Sequence, residues 1–223
     1  MFVIASDYDR TISSELDGFK IKDKVKERIN QFSKRFPFIV VTGRERKFIS
    51  RLALGLNPSL WVLENGAVFL RGNQVIYNVS NDWFSIRNQI VNYLKNKGIS
   101  FTVGEVIIYV DNAIDQGLER VENGRIEWNR SDAMILPENI DKGNGLLKAL
   151  EIFKIKGKII AVGDSQNDIP LFRVANYKVA VRNALEEIKA ISDHVLTKEN
   201  GEGIIELLDM IESGTINFTF DYI

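Results

Sequence analysis

Two carboxylates, Asp7 and Asp9, stand one residue apart directly after the apolar run of residues 2–5 in this 223-residue chain. Like charges this close disfavour each other's ionised forms unless a positive charge lies between them. A divalent cation bound by oxygen ligands would supply that charge, and it would also attract a phosphate group. The pair therefore points to metal-assisted chemistry on an anionic substrate.

Further polar clusters stand at the ends of other predicted strands. They are Thr42-Gly43-Arg44, Glu64-Asn65-Gly66, and the segment GDSQND with Asp164, Asn167 and Asp168. Ligands of open α/β sheets bind beyond the carboxyl ends of the strands, so the clusters should converge on one crevice. Acids from separate loops can share one Mg²⁺ there. With no cysteine and a single histidine, oxygen ligation favours Mg²⁺ or Mn²⁺ over Zn²⁺ or Cu²⁺.

The elements that must position these clusters alternate between short β-type runs and helical periodicity. Strands are predicted at residues 2–5, 38–41, 60–63, 158–162 and 178–181, with amphipathic helices between them and Asp23 as the cap of the first helix. This alternation is typical of a parallel sheet in an α/β fold. We predict a Rossmann-like, three-layer core.

Residues 67–141 follow a different pattern. The segment AVFLRGNQVIYN predicts a hairpin that turns at residues 71–73, and a helix follows on Trp83, Ile86, Ile90 and Leu94. Strand-like segments then occur near residues 101–110, 118–121 and 125–128. We interpret residues 67–141 as an inserted α+β cap domain within a discontinuous core of residues 1–66 and 142–223, and we expect the cap to close over the crevice and select the substrate.

The composition excludes several classes of function. The 29 Lys plus Arg balance 30 Asp plus Glu without a block of like charge, so no general footprint for nucleic acid or an anionic membrane is present. No apolar run approaches a membrane span, and the first residues do not resemble a secretion signal. The lack of cysteine fits the cytoplasm. We expect a cytoplasmic monomer or homodimer that captures a small phosphorylated metabolite at a local site.

Taken together, the motifs resemble those of the haloacid dehalogenase-like phosphatases. DYDRT resembles the DxDxT loop of that family, VTGR its second motif, the lysine of DKGNGL its third and GDSQNDIPLF its fourth. Residues 67–141 look like the larger α/β cap of the family. Within it, the segments ENGAVF, GDSQNDIPLF and IKAISDHV are most similar to archaeal-type phosphoglycolate phosphatases.

The resemblance implies a role for each site residue. Asp7 would be the nucleophile that forms an aspartyl phosphate, and Asp9 the general acid and base. The implied phosphate-binding residues are Thr42, Gly43, Lys142 and Asn167. The implied Mg²⁺ ligands are Asp7, Asp9 through its backbone carbonyl, Asp164 and Asp168. One departure is Arg10, which replaces the glycine usual after the second Asp and places an extra cation near the site.

Each motif alone also has an ordinary structural explanation. Asp-x-Asp after a strand is often a turn or cap, Asp164 and Asp168 could begin a helix whose first turn holds Pro170, and Lys142 could be a solvated lysine. The four motifs in one order favour the active site. The same motifs would serve a sugar-phosphate phosphatase, a phosphotransferase or mutase, or a phosphometabolite-binding protein without turnover.

Several other residues receive structural interpretations. His194 is predicted to lie at a strand edge. Trp83, Trp128 and Tyr109 are predicted to pack in the core of the inserted module, with lining of the substrate site as the alternative. Arg120, Arg125 and Arg130 are candidates to bind a substrate carboxylate. The alternating tail Ile216, Phe218, Phe220 and Tyr222 would either dock as a terminal strand on its own fold or pair across a dimer edge.

Overall fold

The computed structural model describes residues 1–216 and 218. In this part of the chain the strands are β1 (Phe2–Ser6), β2 (Phe38–Val41), β3 (Leu60–Leu63), β4 (Val68–Arg71), β5 (Gln74–Tyr77), β6 (Thr102–Val103), β7 (Ile108–Val110), β8 (Arg125–Asn129), β9 (Asp132–Leu136), β10 (Lys158–Gly163), β11 (Tyr177–Ala180) and β12 (His194–Val195). The α-helices are α1 (Asp23–Ser33), α2 (Arg46–Leu52), α3 (Trp83–Asn96), α4 (Lys142–Ile152), α5 (Ile169–Arg173), α6 (Glu186–Ala190) and α7 (Asn200–Ser213).

The larger sheet has the order β12-β11-β10-β1-β2-β3-β4-β5 among the described residues. Pairing is parallel from β12 to β3, and the central strand β1 pairs with β10 on one side and β2 on the other. Strands β2 and β3 are buried along their whole length, as expected of a parallel sheet covered on both faces. The predicted α/β core with a parallel sheet is confirmed, and the carboxyl ends of β1, β2, β3 and β10 lie at one edge.

Helices cover this sheet through their apolar faces. Helix α1 buries Val25, Ile29 and Phe32 and packs against β2 and α7. The predicted cap Asp23 is instead the first residue of α1, and its carboxylate accepts a hydrogen bond from Lys26 Nζ at 2.6 Å in an exposed position. The prediction of Asp23 as a cap is wrong because Lys22 occupies the cap position.

The hairpin β4-β5 belongs to the large sheet. Strand β4 pairs antiparallel with β3, and β5 pairs with β4 across a two-residue turn in which Gly72 has a φ of 57°. The end of a parallel sheet leaves one side of β3 without a partner, and the hairpin supplies one. The division at residue 67 stays a prediction, and this pairing favours placing the boundary after β5.

A second sheet has the order β6-β7-β9-β8 in the described residues and is entirely antiparallel. Strand β9, one of its two inner strands, was not predicted, because its apolar run directly follows the turn after β8 and lacks strict alternation. Residues 118–121, predicted as strand-like, lie outside the strands. Trp83 of α3 is buried, as predicted, and its indole N–H donates to the Val106 carbonyl at 2.9 Å. We refer to this sheet and α3 as the cap; that they form a separate domain stays a prediction.

The ends of the large sheet account for two further predictions. His194 lies in the edge strand β12, as predicted. The ring of Phe218 contacts Tyr177 edge-on at 5.0 Å and Phe2 at 6.0 Å, which favours docking of the tail on its own fold. Phe220 and Tyr222 lie outside the described residues. Within residues 1–216 and 218, no helix combines the length and the apolar character that crossing a bilayer requires.

Candidate active site

The first acidic loop is fixed by the backbone of the sheet. The Asp7 N–H donates to the Val162 carbonyl at 2.9 Å, so the β1-β10 pairing continues one residue beyond β1. The N–H groups of Ile12 and Ser13 both donate to the Tyr8 carbonyl at 2.9 Å, and the buried Tyr8 hydroxyl donates to the Phe19 carbonyl at the same distance. The loop therefore holds Asp7 in one place at the carboxyl edge of the sheet.

A buried lysine joins the first and fourth motifs. Lys142, the first residue of α4, is 1% exposed, and its Nζ donates to Asp7 Oδ1 and Asp168 Oδ1, each at 2.6 Å. Burial opposes the ammonium form, but the charges of Asp168 and Asp7 outweigh it and raise the pKa of Lys142. Burial raises the pKa of Asp7 well above its ordinary value, and Lys142 opposes this shift. Lys142 is thus a buried part of the site and is not a solvated surface residue.

Glycine contacts set the position of α4. The side chain of Asp141 caps the helix by accepting the Asn144 N–H at 2.7 Å. A Cβ on Gly145 would clash with the backbone of Gly66, and one on Gly66 would lie 2.6 Å from the Asp141 carbonyl oxygen. The turn after β3 and the first turn of α4 therefore approach more closely than side chains would permit, which brings Lys142 up to β1.

Asp168 has both carboxylate oxygens engaged by protein donors. Besides the bond from Lys142, its Oδ2 accepts the N–H groups of Asp164 at 2.8 Å and Ser165 at 3.1 Å. A Cβ on Gly163 would lie 2.6 Å from this oxygen, so the glycine is required for the approach. These contacts favour a positioning role for Asp168, which orients both Lys142 and the loop that carries Asp164.

Asp164 has the free coordination capacity that Asp168 lacks. Its buried Oδ2 has no hydrogen-bond partner in the described part of the chain, and the Arg130 guanidinium lies 3.6 Å away. Thr11 donates to Oδ1 at a long 3.5 Å. Burial, followed by the charge of Asp168, raises the pKa of Asp164 to about 7. Oxygens of Asp7, Asp164 and Asp168 lie within 4.8 Å of one another, and this all-oxygen set suits a hard divalent cation.

Asp9 faces a different cation, which the sequence did not identify as its partner. Arg44 Nε lies 2.7 and 2.9 Å from the two oxygens of Asp9. Burial raises the pKa of Asp9 and the charge of Arg44 opposes this. The Arg44 N–H also donates to Thr42 Oγ1 at 3.2 Å. Arg44 stood in the predicted VTGR motif, but only the fold places its side chain beside Asp9.

The predicted phosphate-binding residues lie at the same edge. Thr42 and Lys142 are buried beneath the site, whereas Gly43 and Asn167 line the cavity above it. Asn167 Oδ1 accepts the Ser165 hydroxyl at 2.9 Å. A Cβ on Gly43 would lie 2.7 Å from Met134 Sδ, so this glycine lets the cap approach the core. The structure therefore brings the predicted site residues to one edge of the sheet, where some line the cavity and Thr42, Lys142 and Asp168 are buried next to it.

A cavity of about 470 Å³ lies between this edge and the cap. The core wall includes Asp7, Asp9 and Asp164, and the cap wall includes Tyr109 and Met134. Tyr109, predicted to pack in the cap core, lines the cavity and donates from its hydroxyl to the Gly43 carbonyl at 2.7 Å. The volume falls in the range of small-ligand sites.

Glu64 fastens the cap to the core, a role that sequence reasoning missed. Its Oε1 accepts the Glu105 N–H at 2.8 Å, and its Oε2 accepts those of Val106 and Ile107 at 2.9 and 2.8 Å. Burial raises the pKa of Glu64, although these three bonds oppose the shift. Arg46 forms a bidentate ion pair with the Glu105 carboxylate, from Nε to Oε1 at 3.0 Å and from Nη2 to Oε2 at 2.9 Å. No sequence motif identifies this contact, because the Glu64 carboxylate and its N–H donors lie some forty residues apart in the chain.

The three arginines proposed for a substrate carboxylate occupy different places. Arg120 lies in a groove beside α3, away from the cavity. Arg125 pairs with Glu127 within β8. Arg130 is near Asp164 but does not line the cavity.

Comparison with known proteins agrees with the geometry. Residues 4–132 and 116–208 match the sequence profile of the haloacid dehalogenase-like hydrolases. A phosphoglycolate phosphatase of Sulfurisphaera tokodaii is 50% identical over 94% of this chain and 93% of its own. Phosphoglycolate phosphatase 2 of Saccharolobus solfataricus is 48% identical over 98% of this chain and 96% of its own.

Solved structures share the fold at low identity. Protein 0175 of Thermoplasma acidophilum superposes with a TM-score of 0.78 and 21% identity, covering 95% of this chain and 99% of that one. A subclass IIB sugar phosphatase superposes with a TM-score of 0.75 and 19% identity, covering 97% and 100%. These similarities extend to the cap as well as the core.

Removal of the Glu64 carboxylate should destabilise the protein. We expect Glu64→Ala to lower the free energy of unfolding by about 2–4 kcal/mol, because three N–H groups, two of them buried, lose their acceptor. Urea unfolding measures this change, and Glu119→Ala, an exposed cap glutamate, should change it by less than about 0.5 kcal/mol. Equal stability of the two variants would contradict the assignment of Glu64 as the fastening residue.

Proposed function

The chain belongs to the haloacid dehalogenase-like hydrolases, and we propose that it is a Mg²⁺-dependent phosphatase that hydrolyses phosphoglycolate through an aspartyl phosphate on Asp7. The observation that carries this proposal is the set of contacts around Asp7. This carboxylate lines a cavity at the end of β1, is held through Oδ1 by a buried lysine, and has Asp9 two residues away. Relatives at 50% and 48% identity that bear the name phosphoglycolate phosphatase support the choice of substrate.

The nucleophilic step follows from the hydrogen bonding of Asp7. Lys142 holds Oδ1, and Oδ2 accepts no hydrogen bond from a described residue, so Oδ2 is the atom proposed to attack phosphorus. The new bond joins Asp7 to the phosphoryl group as the bond to the glycolate oxygen breaks. The charge of Lys142 stabilises the non-bridging oxygens as negative charge develops on them.

Asp9 is proposed to move the protons of both half-reactions. Its carboxyl group protonates the departing glycolate oxygen, and its carboxylate then takes a proton from the water that attacks the phosphoryl group. The second step releases inorganic phosphate and restores Asp7. Arg44 fixes the orientation of Asp9 by donating from Nε to both of its carboxylate oxygens.

The residues present fit a bound Mg²⁺. Asp7 and Asp164 offer carboxylate oxygens and Asp9 its backbone carbonyl, and Asp164 Oδ2 accepts no hydrogen bond from a described residue. When bound, the ion offsets the charge of the acids and of the phosphate. Asp168, also a candidate ligand directly or through water, already accepts three hydrogen bonds and is proposed to act mainly by orienting Lys142.

Thr42, Gly43 and Asn167 are proposed to complete the phosphate site. The Thr42 hydroxyl, the Gly43 backbone and the Asn167 amide lie around the edge to which Asp7 belongs. Sugar phosphates and phosphotransfer to a second substrate remain the alternatives. The proposed setting is the cytoplasm, and the proposed assembly a monomer or homodimer.

Replacement of the nucleophile should abolish turnover without unfolding the protein. We expect Asp7→Asn to have no measurable phosphoglycolate hydrolysis, because an amide is not an anionic nucleophile. Phosphate release measures activity and circular dichroism measures folding. Asp17→Asn, at a charged position outside the cavity, should remain active. Activity of Asp7→Asn near that of the unmodified protein would refute the proposed mechanism.

Loss of the acid and base should affect the two half-reactions differently. With p-nitrophenyl phosphate, whose leaving group needs little protonation, Asp9→Asn should release one equivalent of nitrophenol in a burst and then turn over ~10²- to 10⁴-fold more slowly. Stopped-flow absorbance measures both phases. A slow turnover without the burst would argue against a separate phosphoenzyme step.

Removal of the metal should stop the reaction reversibly. We expect a chelator to abolish phosphoglycolate hydrolysis and Mg²⁺ or Mn²⁺ to restore it, with Zn²⁺ less effective, because the proposed ligands are all oxygen atoms. Assays in buffer of verified metal content test this expectation. Full activity in metal-free buffer would contradict it.

A further inference from the structure

We propose that Arg10 binds the carboxylate of the substrate, so that the loop of the nucleophile, and not the cap, selects phosphoglycolate. This inference rests on the proposed function and names the residue that would give that site its specificity. The catalytic groups around Asp7 serve only the phosphoryl group, which all phosphate monoesters share. Selection must therefore come from a residue that recognises the glycolate portion.

The charges around the cavity leave few candidates. Among the described residues that line it, the positively charged side chains are Arg10 and Arg44, and both belong to the core. The cap wall contributes neutral side chains and the acids Asp111 and Asp132, which would repel a carboxylate. The lining residues of the cap therefore include no cation, and the one cap arginine nearby, Arg130, lies 3.6 Å from Asp164 Oδ2 without lining the cavity.

The shortness of the substrate points to the same loop. In phosphoglycolate a single methylene separates the carboxyl carbon from the oxygen bonded to phosphorus. When phosphorus faces Asp7, the carboxylate must remain close to the nucleophile loop. Arg10 is three residues from Asp7 and directly follows Asp9. Arg120 lies in a groove away from the cavity and cannot serve.

The backbone keeps Arg10 in a conformation that arginine disfavours. Its φ of 62° is in the left-handed region, which glycine enters freely and other residues enter at a cost. The Asn183 amide donates to the Arg10 carbonyl at 2.7 Å, and the Asn183 side-chain oxygen accepts the Asn200 N–H at 2.8 Å, which holds the turn in place. Strain of this kind persists mainly where it serves a function.

The Arg10 side chain is held through Nε, and its two Nη groups can still donate to a ligand. Arg10 Nε donates to Glu15 at 2.9 Å, while its Nη groups donate to no described residue. The guanidinium carbon lies 5.3 Å from the centre of the Phe19 ring, and that of Arg44 lies 4.7 Å from the same ring. The guanidinium groups of Arg10 and Arg44, which lie over the same Phe19 ring, repel each other and together attract an anion. The paired Nη donors of Arg10 can bind a carboxylate in a bidentate manner.

The ion pair with Glu15 does not by itself explain why an arginine occupies this left-handed position. The Glu15 side chain is 61% exposed, and an ion pair of this exposure contributes little to stability. A purely structural arginine at a left-handed position would be replaced by glycine without loss. The two explanations therefore predict different behaviour for the same substitutions.

The test compares phosphoglycolate with ethyl phosphate, which has the same length and lacks the carboxylate, in the Mg²⁺-loaded protein. We expect Arg10→Gln and Arg10→Gly to lower kcat/KM for phosphoglycolate by about 10- to 100-fold, the range for losing a hydrogen bond to a charged group. The loss should appear mainly in KM, since the carboxylate is bound before and during the reaction. For ethyl phosphate the change should be less than about threefold, and Arg10→Lys should restore part of the preference.

Control variants separate this role from the alternatives. Arg120→Gln should leave the ratio of the two kcat/KM values unchanged, and Arg10→Gly should melt no lower than the unmodified protein because glycine adopts a positive φ without strain. An equal loss for both substrates, an unchanged ratio, or a ratio that depends on Arg130 instead would overturn the role of Arg10. If the unmodified protein hydrolyses ethyl phosphate but does not prefer phosphoglycolate, the proposed substrate fails as well, which distinguishes the two failures.

Discussion

The buried contact between Lys142 and the two carboxylates of Asp7 and Asp168 is the interaction on which the rest of the site depends. One ammonium group lies 2.6 Å from an oxygen of each acid, with Asp164 close by. Buried charges are costly unless they are paired, and here three carboxylates face one lysine. The negative charge that Lys142 leaves uncompensated makes this group of acids suited to a divalent cation.

Several elements of the fold converge on that contact. Asp7 continues the pairing of β1 with β10, and Asp168 closes the loop after β10 by accepting two backbone N–H groups. Helix α4 follows the cap in the sequence. It reaches the same place because glycines permit its close approach to the turn after β3. Elements that are distant in sequence thus meet at the carboxyl edge of one sheet, as expected for open α/β folds.

Sequence reasoning could find the parts that have local signals. Buried strands such as β2 and β3, and acids placed directly after strands, follow from hydrophobic runs and spacing alone. It could not find contacts made by tertiary structure: the pairing of the hairpin with β3, the bond of Arg44 to Asp9, and the attachment of residues 105–107 to Glu64. The unpaired edge of β3, the burial of the Glu64 carboxylate and the position of Arg44 next to Asp9 arise only when the chain has folded. No local residue pattern indicates them.

The central claim is that Asp7 carries the phosphoryl group during turnover. The most direct measurement is acid quenching of the Mg²⁺-loaded protein within a single turnover of phosphoglycolate, followed by reduction of the acyl phosphate with borohydride and peptide mass spectrometry. We expect the modification to appear at Asp7 and to decay as inorganic phosphate is released. Phosphate release without modified protein, or modification at another residue, would contradict it.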